Sequence, residues 1–450
     1  MRFPALLSLL LVTASPAADA VAQEIPPPPA NRAPSPPGEP GVTVVHAGTL
    51  LDRPGRPPQR NASIVIRNGR IESVQDGFVA VPEGARLVDL KDRFVLPGLI
   101  DSHVHLTSDR AGNEGFMAGF TDSVALTSFE AAWNAGKTLN AGFTTVRNLG
   151  SGDGVTLGLR DAINRGWAVG PRIVDAGSGI SATTGHGDPT LGVREEFHEA
   201  LRSGGTNCDS AEECRRAVRR QIALGADVIK IATTGGVNSR IGLGLGAQMF
   251  EDEVRALIET AHLYGKKVAV HAHGADGMNL ALRLGADSIE HGTLMDAESI
   301  RLFRQGRAYY VPTLSTVNGY LERIRANPNA YSPEVRQKID WRIQITGLAL
   351  RRAHAAGVRI AFGTDAGVSH HGRNADEFAL MVQHGMSPAE AIQAATVNAA
   401  DLLGLANEVG TLEPGKSADL IAVSGDPLTD VGVLRNVNFV MARGRVHKGN

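Results

Sequence analysis

Cysteine is nearly absent from this chain: 450 residues contain two, Cys208 and Cys214. A multi-disulfide framework is therefore excluded, and what remains is one short pair, "NCDSAEEC", six residues apart at an expected helix start. In an exported protein that pair is a candidate disulfide, two free thiols being the alternative. Charge of one sign is also lacking. The formal net charge is −2 and no Lys/Arg run is present, which argues against nucleic acid as a partner. Aromatics make up only 5% of the residues while glycine supplies 52, a balance that fits an α/β protein with many short loops. No apolar run is long enough to span a bilayer, so no stable membrane insertion is expected.

The one apolar run near a terminus has a different reading. "MRFPALLSLLLVTASPAADAVAQ" carries one positive charge, an apolar core over residues 5–13 and small residues before Gln23. It is the pattern of a secretory signal over 1–22, which predicts a periplasmic or secreted protein. No cysteine follows the expected cut to suggest lipid anchoring. Residues 25–40, "IPPPPANRAPSPPGEP", hold eight prolines in sixteen positions and read as an extended tether, assigned to 23–41.

Residues 42–95 alternate with the two-residue period of half-buried strands. "ASIVIRNGRIESV" (62–74) forms a hairpin about Asn68-Gly69, a pair suited to a tight turn needing positive φ. From residue 96 short apolar runs alternate with helical segments. The expected strands are "GLIDSHVH" (98–105), "TTVRNLG" (144–150), "RIVDAG" (172–177), "DVIKIATTG" (227–235), "KVAVHAHG" (267–274), "DSIEHG" (287–292), "AYYVPTL" (308–314) and "RIAFGTDAG" (359–367). Eight βα units predict a TIM (β/α)8 barrel over 96–404. Beyond it, "GKSADLIAVS" and "NFVMARGRVHK" resume strand alternation, so 405–450 is expected to join 42–95 in a small β-sandwich domain.

Polar residues interrupt these strands near their C-terminal ends. His103 and His105 lie two apart on the first strand and therefore share a face, either as half of a metal site or as a polar strand end. Lys230, His271, His273, His291 and Asp365 stand at four further strand ends. A TIM barrel brings all those ends to one mouth, where active sites lie. Any one alone is more often structural, but together the imidazoles and a carboxylate suit Zn²⁺ or a similar divalent ion. Lys230 is flanked by Val228, Ile229 and Ile231, and burial there favours its neutral amine. A neutral amine can add CO₂ to form a carbamate, an anion able to span two metals.

The motifs "IDSHVH", "VIKI", "VHAHG", "IEHG" and "GTDA" resemble the amidohydrolase superfamily in its binuclear form with a carboxylated lysine. "TTGHGD" (183–188), "ADVIKIATTGGV" and "GTLEPGKSADLIAV" are similar to its imidazolonepropionase-like and prolidase-like branch, which includes Xaa-Pro dipeptidases and ochratoxin-type amidases. The resemblance spans about residues 42–450. It implies that His103, His105 and Asp365 hold one divalent metal and His271 and His291 a second, most simply zinc in both. Lys230, as N6-carboxylysine, then bridges the two together with a hydroxide. It further implies that Asp365 shuttles a proton to the leaving amine, and that the substrate is a small-molecule amide or dipeptide. Homo-oligomers are common in such relatives and are expected here. His273 is left over from the ligand set and is assigned to the substrate carbonyl or carboxylate, with support of a neighbouring ligand as the competing role. Ser108, His186 and Arg240 lie on loops just past strand ends and are candidate substrate contacts, with a structural role the competing reading for each. His370 and His371 read as surface residues near the mouth. Asn148 departs from the aspartate that relatives often carry, which puts support of the mouth loops in question. Hydrolysis of a cyclic amide or lactone is the alternative activity, disfavoured for the imidazolonepropionase case by the signal. A non-catalytic metal- or ligand-binding protein is the alternative of another class, and the complete ligand set counts against it.

Overall fold

The structure, a computed structural model, describes residues 38–110, 112–202, 204–240 and 244–449. The expected signal and most of the tether lie outside the described residues. Among the described residues no helix is long and apolar enough to cross a membrane.

The chain opens with β1 (Val42–Leu50), β2 (Gln59–Arg67), β3 (Arg70–Asp76) and β4 (Arg86–Pro97). The β2–β3 hairpin turns on Asn68 and Gly69 at φ 50° and 76°, the left-handed pair that a two-residue hairpin needs. The barrel strands follow: β5 (Leu99–Val104), β6 (Phe143–Asn148), β7 (Arg172–Asp175), β8 (Val228–Ala232), β9 (Lys267–Ala272), β10 (Ser288–His291) and β11 (Tyr309–Val311). Three strands end the chain: β12 (Leu420–Val423), β13 (Val437–Ala442) and β14 (Arg445–Lys448).

The strands of the two chain ends share one seven-stranded sheet, ordered β14-β13-β12-β4-β1-β2-β3. The long β4 makes the join, pairing with β1 as far as Val95 and with β12 over Phe94–Pro97. The two-residue period then gives the sheet two apolar faces. Ile421 and Val423 join the same core as the barrel residues, while Leu420 and Ala422 pack with Val45, Ile64 and Phe439 on the other side. A small domain built from both ends is thereby attached to the barrel through shared core.

The barrel strands are all parallel and form two arcs, β5-β6-β7 and β8-β9-β10-β11. Isolated bridges complete the ring: Ile180 with Ile231, Tyr310 with Ile360, and Val104 with Ala366. The expected eighth strand, 359–367, is therefore no regular strand. Asp365 at φ 57° and Gly367 at φ 120° bend the backbone out of the β region, so it touches its neighbours at points. Those points are well bonded: Ser102 N donates to Phe362 O (2.9 Å), Asp365 N to His103 O (2.7 Å) and His105 N to Ala366 O (2.7 Å). Side chains reinforce the seam, because the buried Asp101 carboxylate accepts from Thr364 Oγ1 (2.6 Å), Thr364 N (3.1 Å) and Asn374 Nδ2 (2.8 Å).

Candidate metal centre

β5 carries His103 to the seam, fully buried inside the barrel. Its Nδ1 lies 2.9 Å from Glu290 Oε2 on β10, so the ring donates to the carboxylate and leaves Nε2 with a free lone pair. Nε2 points at Asp365, 3.6 Å from Oδ1, and His105 Nε2 is 3.3 Å from the same oxygen. Glu290 is anchored in turn by Arg147 on β6, whose Nη2 donates to Oε1 (2.8 Å). Arg147 also donates to Ser102 O (2.6 Å) and Ser288 Oγ (3.0 Å). Burial opposes ionisation of Glu290, but Arg147 and the His103 hydrogen bond outweigh it and hold its pKa down to about 2.

The second group stands on β9 and β10. The His271 and His291 ring centroids are 4.6 Å apart, and His273 stacks on His291 at 4.9 Å. Two of these rings are oriented by a threonine: His291 Nδ1 lies 2.7 Å from Thr313 Oγ1, and His273 Nδ1 2.8 Å from Thr293 Oγ1. His291, Thr313 and Asp365 are all non-glycine residues in the left-handed region (φ 71°, 49° and 57°). Backbone strain of this kind concentrates at functional sites. Lys230 on β8 is 7% exposed, and burial lowers its pKa to about 8.

The donor chemistry fits a divalent cation. Burial, the largest cause, lowers the pKa of His103 to about 4 and drives His271, His273 and His291 well below 6.5, so these rings present lone pairs. Two sets of ligand atoms converge to within 4.8 Å: His271, His273 and His291, and His103, His291 and Asp365. His291 belongs to both, and His273 lies as near the ligand atoms as its neighbours do.

These residues line a cavity of about 590 Å³ at the barrel mouth. The loop candidates divide. His186 enters the site: its ring stacks on His271 at 4.0 Å, and its Nδ1 lies 2.8 Å from Ser239 Oγ. Ser108 and Arg240 line a neighbouring cavity of about 300 Å³ instead, which shares His105, Asn238 and Val368 with the first. Ser108 Oγ is spent on Arg110 O (2.7 Å), and the Arg240 guanidinium lies 3.7 Å over the Phe116 ring. His371 is buried, contrary to the surface reading, and its Nε2 lies 3.1 Å from the carbonyls of both His105 and Ser108. Asn148 does support the mouth: its Oδ1 accepts Leu106 N (2.9 Å) and its amide donates to Asp175 (3.2 Å) and Thr156 (3.1 Å). Cys208 and Cys214 are joined in a disulfide, Cα atoms 5.0 Å apart. Sequence reasoning missed Glu290, Arg147 and Arg342. The first two are charges within expected strands, a weaker form of the signal at Lys230, whereas Arg342 sits on a helix.

A ring of parallel strands whose C-terminal ends gather imidazoles, a lysine and an aspartate around one cavity defines a barrel enzyme whose mouth carries groups that could hold metal. The chain belongs to the amidohydrolase family, which residues 94–447 match. It is 33% identical over 426 residues to ochratoxinase from Aspergillus niger, spanning 91% of this chain and 87% of that protein. Among solved structures, a Xaa-Pro dipeptidase with bound methionine in its active site superposes with a TM-score of 0.85 at 40% identity, covering 91% of this chain and 100% of its own. A prolidase complexed with N-methylphosphonate-L-proline gives a TM-score of 0.82 at 30% identity, with coverage of 91% and 100%. The protein is thus a hydrolase of amide bonds in small molecules, from a family that typically uses metal ions.

Proposed function

We propose that this enzyme is an exported amidase or peptidase that frees the C-terminal amino acid of a dipeptide or N-acyl amino acid, ochratoxin-type amides among them. One observation carries the reading: His103, His105, Lys230, His271, His291 and Asp365 converge on a cavity of about 590 Å³, a volume suited to a small molecule. His103, His105 and Asp365 would hold one divalent metal and His271 and His291 a second, with Lys230 as a carbamate spanning both. Two such cations, zinc in this reading, supply a lowered water pKa and Lewis acidity at the scissile carbonyl.

The chain's own groups do the rest. Glu290 fixes the His103 tautomer, so that Nε2 keeps its lone pair toward Asp365. Asp365 takes the proton that the attacking water gives up and returns it to the departing amine, avoiding an amide anion as leaving group. His273 and His186, oriented by Thr293 and Ser239, present their remaining nitrogens to the substrate carbonyl or carboxylate. Export rests on the expected signal over residues 1–22.

Metal analysis combined with hydrolysis of Xaa-Pro, Xaa-Arg and N-acyl-aromatic amino acids tests the proposal. We expect about two divalent ions per chain and turnover within that panel. Fully metallated protein that cleaves none of these compounds would overturn it.

A further inference from the structure

Arginines buried in this protein have carboxylates to face. Arg147 meets Glu290 at 2.8 Å and Arg160 meets Asp227 at 2.8 Å. Arg342 does not. It lies on the helix Pro333–Gln344, is 4% exposed and lines the catalytic cavity beside Thr316 and Tyr320. The one hydrogen bond its guanidinium makes among the described residues goes to Thr346 Oγ1, at 3.3 Å. After the phenols of Tyr310 and Tyr320, the acidic group that acts on it is Glu377, whose two oxygens already accept Leu314 N (2.8 Å) and Ser315 N (2.6 Å). Lys338, one turn earlier on the same helix, is spent on the carbonyls of Gly236 and Ser239 (3.0 and 2.7 Å). Apart from the metal-site residues, the charged groups lining the cavity are Arg342 and an exposed Asp153 at its rim.

A buried guanidinium without a counter-ion is costly, and its planar fork matches a carboxylate. We propose that Arg342 receives a carboxylate of the substrate's leaving amino acid, so that the enzyme selects amides whose departing half is anionic. This rests on the amidase reading above and adds the residue that would enforce its substrate class. The carboxylate could be the α-carboxylate or that of an acidic side chain, and the assay separates them.

Zinc-loaded enzyme and Arg342→Gln are compared on two substrate pairs: N-benzoyl-phenylalanine against its carboxamide, and N-benzoyl-glutamate against N-benzoyl-glutamine. Wild type should favour the anionic member of one pair by about 30-fold or more in kcat/KM, and Arg342→Gln should erase that preference. Preference within the first pair identifies the α-carboxylate, and within the second the side chain. Calorimetry on wild type provides a reading independent of variant folding: phenylalanine or glutamate should bind at least about 30-fold tighter than its amide counterpart. Equal treatment of both members by wild type, or a preference that survives Arg342→Gln, would overturn the assignment. Inertness of metallated wild type toward every compound would instead count against the amidase reading itself.

Discussion

At the residue scale, Glu290 ties the two halves of the centre together. It holds His103 on one oxygen and Arg147 and Ser288 on the other, at full burial. An amide there keeps one acceptor oxygen for two donors, His103 and Arg147, and removes the charge opposite Arg147. Glu290→Gln is expected to lower metal affinity about 10–100-fold, read by competition with a chelator. It should also destabilise the fold by about 3 kcal/mol in urea unfolding, because Arg147 is left buried without its counter-charge. Lys230→Ala should lose binuclear binding, with bicarbonate plus a short carboxylic acid restoring part of the activity. Two tightly held ions in that variant would remove Lys230 from the site. Away from the centre, the His262–Asp287 contact (2.9 Å) raises the histidine pKa against partial burial. A raised folded value gives stability below about pH 6.5 that fades as pH rises past it. His262→Gln should therefore cost more at pH 6 than at pH 9. The difference should stay below about 1 kcal/mol, since the pair is part-exposed.

At the element scale, seven of the eight expected barrel strands are regular, since apolar β-branched runs bounded by glycine specify buried parallel strands. "RIAFGTDAG" carries the same signature yet forms only bridges, because hydrogen bonding to both neighbours across a left-handed Asp365 is a tertiary matter. The ligand candidates were legible for a topological reason: a polar residue at the end of an apolar strand has one place to go in a barrel. The loop candidates were not, because nothing local to Ser108 or Arg240 says which of two adjoining cavities they face. The helix bearing Arg342 was illegible for the same reason, its partner surface being set by the chain's return path. Gly363 tests how tightly strand eight is fitted. A Cβ there would lie 2.4 Å from Val311 Cγ1 and 3.1 Å from the His103 Cβ. Gly363→Ala should cost about 1–3 kcal/mol in denaturant unfolding and weaken metal binding, as His103 is displaced. An unchanged metal affinity would show that strand eight can shift without moving the ligand.

At the scale of the whole molecule, the sheet made from both chain ends and the barrel share core residues, and Lys448 on β14 donates to the carbonyl of Asn140 (3.2 Å). Unfolding of the described region is therefore expected to be a single transition by circular dichroism, with far-UV and near-UV signals coinciding. Two separated transitions would show that the end-strand sheet melts on its own. The seam has a consequence in time as well as in space. His103 and Asp365 belong to the first and last staves of the ring, and Asp101 laces those staves together. A nascent chain must deliver almost the whole barrel before its earliest histidines meet their carboxylate. Capture of a cation at that seam would serve as a completion signal, one that no truncated chain ending before Asp365 can give.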